Sequence, residues 1–225
     1  MIMTNAYDLI IFDCDGVLID SETLSGSVMI DELARLGIVI DLSVFFTRMV
    51  GRSFEQAMAT VRELTGQSVP ADFKDNFRAS LLARFETELK PIPGIIDLLS
   101  SLRVPVCVAT SSDPVRAVRS LEVTGLHRFF VDRVFTASLV PNGKPAPDLF
   151  LHAAHSFSVD PPRAIVIEDS AFGLMAAKAA GMTAWHFTGG GHFKGGYKVD
   201  PEIMRDQSFS TMEAVLAEAR HLGLA

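Results

Sequence analysis

Cysteine is scarce in this chain: Cys14 and Cys107 are the only two among 225 residues. They fall in different apparent strands, so a disulfide scaffold is excluded and reduced thiols in a cytoplasmic protein are expected. Positive charge is also short, with 20 Lys and Arg against 27 Asp and Glu and a net charge of −7. A nucleic-acid binder normally shows a basic face, so no nucleic-acid partner is expected. No apolar run approaches the ~20 residues of a membrane span. The start of the chain lacks a charged region, an apolar segment and a small-residue cleavage site in the order of a secretory leader. No membrane partner is expected. Internal repeats are missing, and the one low-complexity stretch is the glycine-rich Gly189–Gly196. No Gly-Lys-Ser/Thr follows it, so it reads as a mobile loop and not a phosphate cradle.

What is present is enough apolar material for a packed core: 48% hydrophobic residues against 21% charged. The length fits one large domain or a domain with a smaller insert. Leu9-Ile10-Ile11-Phe12 is a short continuous apolar run, the pattern of a strand buried on both faces. It ends at Asp13-Cys14-Asp15-Gly16. Two carboxylates at the end of a buried strand are costly unless a cation or substrate offsets them.

From Val17 to Leu89 the spacing predicts only helices, in four stretches. The first carries Leu24, Val28, Leu33 and Leu36 and ends near Gly37; the second lies in Leu42–Val50. The third starts after Ser53 as N-cap and runs to Gly66; the fourth follows Pro70 with Phe73, Phe77, Leu81 and Phe85. Pro91-Ile92-Pro93-Gly94 breaks the pattern. Strands are then predicted at Val104–Ala109, Arg133–Phe135, Ala164–Ile167 and Thr183–Phe187. Helices are predicted at Ile95–Leu102, Pro114–Val123, Asp148–Phe157, Phe172–Ala180 and Met212–Arg220. Alternating strands and helices imply an α/β fold with a parallel sheet covered on both faces. The core then comprises residues 1–16 and 90–225, and the helical bundle 17–89 is an insertion.

Ligands of such sheets bind beyond the carboxyl ends of the strands. Four features fall there: Asp13-Cys14-Asp15-Gly16-Val17-Leu18; Ala109-Thr110-Ser111-Ser112; Gly143-Lys144-Pro145-Ala146-Pro147-Asp148-Leu149-Phe150; and Glu168-Asp169-Ser170 with Gly173, Ala176-Ala177 and Ala180-Gly181-Met182. In this order and spacing the chain resembles the haloacid dehalogenase-like hydrolase superfamily, in its phosphatase and β-phosphoglucomutase-like branch. The resemblance covers nearly the whole chain. It implies a Rossmann-like core, a helical cap formed by the insertion, and Mg²⁺-dependent hydrolysis of a small phosphorylated metabolite, expected to be a sugar phosphate.

Phosphoryl transfer needs an in-line nucleophile, neutralised phosphoryl oxygens and a proton for the leaving oxygen. Asp13 ends its strand on a short tether and is the expected nucleophile. Asp15 is the expected general acid and base, and its backbone carbonyl is a metal ligand by the resemblance. Acids converging on a dianionic phosphate need a hard cation, so Mg²⁺ is expected at Asp13, the Asp15 carbonyl and Asp169. Glu168 is either a further ligand or an acid behind the ligands. Lys144 supplies fixed positive charge, and Thr110 and Ser111 donate to phosphoryl oxygens. Ser112 can donate there too, and one of Ser112 and Asp113 is expected to cap the next helix ahead of Pro114. Asp20, Glu22 and Arg52 are the insertion residues expected near substrate, although Asp20 also suits a helix cap. Arg52 follows Gly51 in a loop; it is expected either to meet a second anionic group of the substrate or to be a solvated arginine.

Other conspicuous residues read differently. Cys14, between two acids, is a poor nucleophile and structural. The stripe Gly173, Ala176, Ala177 and Ala180 reads as close packing, and His152 and His155 lack partners for a metal site. The core motifs are shared with a phosphoglucomutase, which returns the phosphoryl group to sugar, so that alternative stays open beside a catalytically silent binding module. A dehalogenase has no need of Asp15. A phosphonatase needs an insertion lysine as Schiff base, and Lys74, the only lysine between Val17 and Leu89, falls deep inside a helix pattern, which argues against that activity. A monomer or weak homodimer is expected.

Overall fold

The computed structural model describes residues 6–225. Its strands are β1 (Leu9–Phe12), β2 (Val106–Thr110), β3 (Val134–Thr136), β4 (Ala164–Glu168), β5 (Thr183–Phe187) and β6 (Gln207–Phe209). They form one six-stranded sheet in the order β3-β2-β1-β4-β5-β6, with every neighbouring pair parallel. β1 lies in the middle, with Ile10 opposite Val106 on one side and Ile165 on the other. Successive side chains of a strand point to opposite faces. Leu9 and Ile11 accordingly enter one apolar cluster, and Ile10 and Phe12 the other. That two-sided burial is why the run shows no polar alternation.

Helices α1 (Glu22–Arg35), α2 (Leu42–Arg48), α3 (Phe54–Thr65) and α4 (Phe73–Glu88) all fall between β1 and β2. The remaining helices are α5 (Ile95–Ser101), α6 (Pro114–Val123), α7 (Asp148–Ser156), α8 (Ala171–Ala179), the single turn α9 (Gly191–Lys194) and α10 (Met212–His221). Local chemistry explains the limits of α3. The Ser53 hydroxyl accepts from Gln56 N–H while the Gln56 side chain accepts from Ser53 N–H, a reciprocal cap. At its other end Gly66 takes φ +72°, which an L side chain resists. Val28, Leu81 and Phe85 of the insertion belong to the same apolar cluster as Ile10 and Phe12 of the sheet.

Several boundaries differ from those predicted. β2 starts at Val106 and not Val104, because Pro105 has no N–H to give the ladder; only its carbonyl takes part, accepting from Ile10 N–H at 3.1 Å. β3 is shifted by one residue to Val134–Thr136. β6 was not predicted at all; it is three residues long on the sheet edge and mostly exposed. Gly189–Gly196 is no loose loop: it contains α9, and His192 within it is fully buried. Asp20 does not cap α1, whose N-cap is Ser21; its carboxylate instead accepts from Gly191 N–H of α9 at 3.0 Å. Among the described residues no helix is long and apolar enough to cross a membrane.

Candidate active site

The ladder of β1 ends with Asp13 N–H donating to Ile167 O at 2.9 Å, which fixes the next side chains beyond the sheet edge. Gly16 then takes φ +79° and turns the chain. A Cβ there would stand 2.0 Å from Asp169 Oδ2, so only glycine lets the opening loop lie against the end of β4. The Asp13 side chain is 10% exposed and that of Asp169 4%.

Lys144 reaches this point from the loop before α7. Its ammonium donates to Asp13 Oδ1 at 2.7 Å, Glu168 Oε1 at 2.7 Å and Ala109 O at 3.0 Å, so all three of its protons are used. Burial opposes its charge, but the two carboxylates outweigh burial and drive its pKa up. Glu168 is held on its other oxygen by Ser170, whose N–H and hydroxyl donate at 2.7 and 2.9 Å. Asp13 lies well above the usual carboxylate range because burial outweighs the pull of Lys144, with Glu168 and Asp169 adding repulsion. Asp169 is raised in the same way by burial and by Glu168.

Asp15 faces away from this trio. Ser21 Oγ and Arg116 Nη2 donate to its Oδ1, the latter at 2.7 Å, and Ser112 Oγ donates to Oδ2 at 2.6 Å. Burial raises its pKa, yet Arg116 and these hydroxyls hold it below the ordinary value. Two carboxylates two residues apart thus have opposite environments.

The side chains expected at the site, Asp20 excepted, line one cavity of about 530 Å³: Asp13, Asp15, Glu22, Arg52, Thr110, Ser111, Lys144, Glu168 and Asp169. The insertion closes the opposite wall with Phe54, Lys74, Phe77 and Arg78. Thr110 is the last residue of β2, and its hydroxyl accepts from Ser112 N–H at 3.1 Å. Asp113, not Ser112, caps α6, accepting from Arg116 N–H at 3.1 Å. Glu22 is raised to about 7, first by burial and then by Asp15. Cys14 is fully buried and pushed up by burial and its acidic neighbours, in keeping with an inert thiol. His152 stacks edge-on against Phe135 and not against the acids. Gly173 does more than pack a helix on the sheet. A Cβ there would meet Glu168 Oε1 at 1.7 Å, so the glycine makes room for a site carboxylate.

Arg116, Ser21 and His192 were missed. Arg116 had one available signal: it sits in the first turn of α6, where the helix dipole disfavours a cation. Ser21 lies only six residues after Asp15 but shows no spacing signal of its own, and His192 meets Asp169 from a separate element. His192 is buried, and neither ring nitrogen is hydrogen-bonded among the described residues. Its Nε2 lies 3.0 Å from Asp169 Oδ2 without the alignment of a bond.

Oxygens of Asp13, Glu168 and Asp169 lie within 4.8 Å of one another. Lys144 touches two of these acids. Among the described residues it leaves Asp169 with no cationic partner beyond the unaligned His192 ring. A buried all-oxygen set still short of positive charge fits a hard divalent cation.

A model of the haloacid dehalogenase-like hydrolases matches residues 7–181. The 6-phosphogluconate phosphatase of Escherichia coli (strain K12) is 28% identical over 188 residues, 83% of this chain and 85% of that protein. The fructose-1-phosphate phosphatase of the same organism is 31% identical over 188 residues, 81% of this chain and 97% of that protein. Among solved structures, a hydrolase of this family from Deinococcus radiodurans R1 with bound phosphate and sodium superposes with TM-score 0.80 at 28% identity, covering 98% of both chains. The chain belongs to the haloacid dehalogenase-like hydrolases. It is an enzyme of their phosphatase branch.

Proposed function

We propose that the protein is a Mg²⁺-dependent phosphatase of a small phosphorylated metabolite, a sugar phosphate, working through an aspartyl-phosphate on Asp13. The observation that carries this is Asp13 at the end of β1, 2.7 Å from Lys144 and in one cavity with Asp15, Thr110 and Asp169. The named relatives that act on 6-phosphogluconate and fructose 1-phosphate support the substrate class. So does the cavity, which suits a small molecule.

In this reading Thr110, Ser111 and Lys144 bind the phosphoryl oxygens while an Asp13 oxygen attacks phosphorus. Asp15, ionised in the free protein, takes up a proton as the substrate monoanion binds and passes it to the leaving ester oxygen. Asp15 then takes a proton from the water that cleaves the acyl phosphate, and inorganic phosphate departs. Asp13, Asp169 and the Asp15 carbonyl would hold Mg²⁺, with Glu168 behind them because its oxygens already serve Lys144 and Ser170. The ion, when bound, neutralises phosphoryl charge. The insertion 17–89 acts as a cap that excludes water and limits substrate size, with Glu22 and Arg52 meeting the substrate. A cytoplasmic setting goes with this reading and is supported by two buried, unpaired cysteines.

Phosphate release across a panel of sugar phosphates and nucleotides, with and without Mg²⁺, tests it. Wild-type protein is expected to release phosphate only with the ion, and Asp13→Asn to be inactive. Full turnover by Asp13→Asn overturns the nucleophile. Isomerisation of a hexose 1-phosphate with no net phosphate release replaces the phosphatase with a mutase.

A further inference from the structure

The phosphatase reading gives Asp15 a task that depends on where its carboxylate sits, and three donors decide that. They come from two parts of the chain: Ser21 at the entry to the insertion, and Ser112 and Arg116 on the segment that runs from β2 into α6. Only Arg116 is charged. Its Nη2 binds Asp15 Oδ1 at 2.7 Å and also donates to Ser25 Oγ of α1 at 3.2 Å. Its guanidinium carbon lies 5.6 Å from the centre of the Phe85 ring of α4. Ser25 and Phe85 are both buried residues of the insertion. One side chain rooted in the sheet's helix layer therefore touches the acid and two insertion helices together.

Placement of Arg116 in the first turn of α6 works against the helix dipole. Its Nε is buried without a partner among the described residues, a cost of its own. Neither feature serves the stability of α6. A lysine ammonium reproduces only the donor contacts, both of which come from Nη2, because it lacks the planar face that lies over the Phe85 ring.

From this geometry we infer that Arg116 is a positioning residue. It holds the Asp15 carboxylate against the insertion, so that the acid's placement follows the position of α1 and α4. The inference rests on the phosphatase reading, with Asp15 as the group that protonates the leaving oxygen.

The test compares wild type, Arg116→Met, Arg116→Lys, Asp15→Asn and the double variant Asp15→Asn/Arg116→Met. Two substrates are used: the best sugar phosphate of the panel and para-nitrophenyl phosphate, whose leaving group departs without a proton. The readout is kcat/KM, which reports only steps through departure of the leaving group. General acid catalysis contributes about 10²–10⁴-fold, and Arg116→Met is expected to lose about 10–100-fold of it on the sugar phosphate. On para-nitrophenyl phosphate the same variant should stay within about threefold of wild type. Arg116→Lys should recover part of the loss. The double variant should fall no further than Asp15→Asn alone, since a residue acting only through Asp15 has nothing left to act on.

Equal losses on both substrates, no loss on either, or additive losses in the double variant each overturn the inference while leaving the phosphatase reading intact. Should Arg116→Met fail to fold, Arg116→Lys carries the same comparison. A wild-type protein inert toward every phosphate ester overturns the phosphatase reading and this inference with it. A wild type that turns over while Asp15→Asn is unimpaired removes the role of Asp15 and overturns the inference through it.

Discussion

Lys144 is a buried cation with every proton committed, and two of its three acceptors are acids with almost no solvent to fall back on. Removing it strands charges that the interior cannot hydrate. Arg and Lys partners of buried pairs typically cost about 3–5 kcal/mol when deleted alone. Lys144→Met is therefore expected to lower the melting temperature by about 2–4 °C per kcal/mol in a chain of this size. It should also cut kcat on the preferred phosphate ester by about 10²–10³-fold, the scale seen for single electrostatic contacts to a transition state. A melting scan and a phosphate-release assay check both. Glu22 makes a different prediction. Its carboxyl is raised to about 7, against about 4.3 in an unfolded chain. The folded state thus holds that proton more tightly, so the group costs nothing below the unfolded value and its full penalty applies above about 7. Without added divalent ion, Glu22→Gln should melt at the wild-type temperature at pH 4 and a few degrees above it at pH 8. An equal shift at both pH values would mean that ionisation of the buried carboxyl is not what costs stability.

Among the elements, α8 carries the sharpest test. Its Gly173 leaves room that a methyl group would take from Glu168. Gly173→Ala usually favours a helix by about 1 kcal/mol. Here it is expected to destabilise instead and to depress turnover, because Glu168 must leave Lys144 and Ser170 to make way. Thermal melting and phosphate release of the one variant decide the matter. This element also shows what could be read in advance. The stripe of Gly173, Ala176, Ala177 and Ala180 was legible as small residues on one helix face, but the reason for the glycine was not, since the direction of its neighbour Glu168 is set by Lys144 and Ser170. The same divide runs through the molecule. The motifs at Asp13, Thr110 and Glu168 were readable because each is local: an apolar run, then a chemical group at its end. α3 was readable from Ser53 and Gly66, which set their own limits. β6 was not, because three edge residues form a strand only by leaning on β5. The partners of Asp15 could not be listed either, since Ser112 and Arg116 lie about a hundred residues away in sequence.

The molecule as a whole joins two charge problems that share one solution. Asp13 and Asp169 are both held well above the usual carboxylate range, and a divalent ion at their oxygens would relieve both. Binding to the folded state alone contributes about 2.7 kcal/mol at a hundred times the dissociation constant. Saturating Mg²⁺ is therefore expected to raise the melting temperature of wild type by several degrees and that of Asp169→Asn by much less. A chelator should abolish phosphate release reversibly. If wild type and Asp169→Asn shift alike, the ion binds elsewhere. The sheet order has one more outcome, which concerns synthesis. β1 is made before either of its neighbours, yet it finishes in the middle, beside Val106 on one flank and Ile165 on the other. A nascent chain must carry that greasy tetrapeptide and its acidic tail with one flank open until β4 (Ala164–Glu168) has emerged from the ribosome. Such long-range parallel pairing is slow to form and exposed to aggregation meanwhile. The strand that leads into the site is made before both of its neighbours and is sheltered fully only by the later of them.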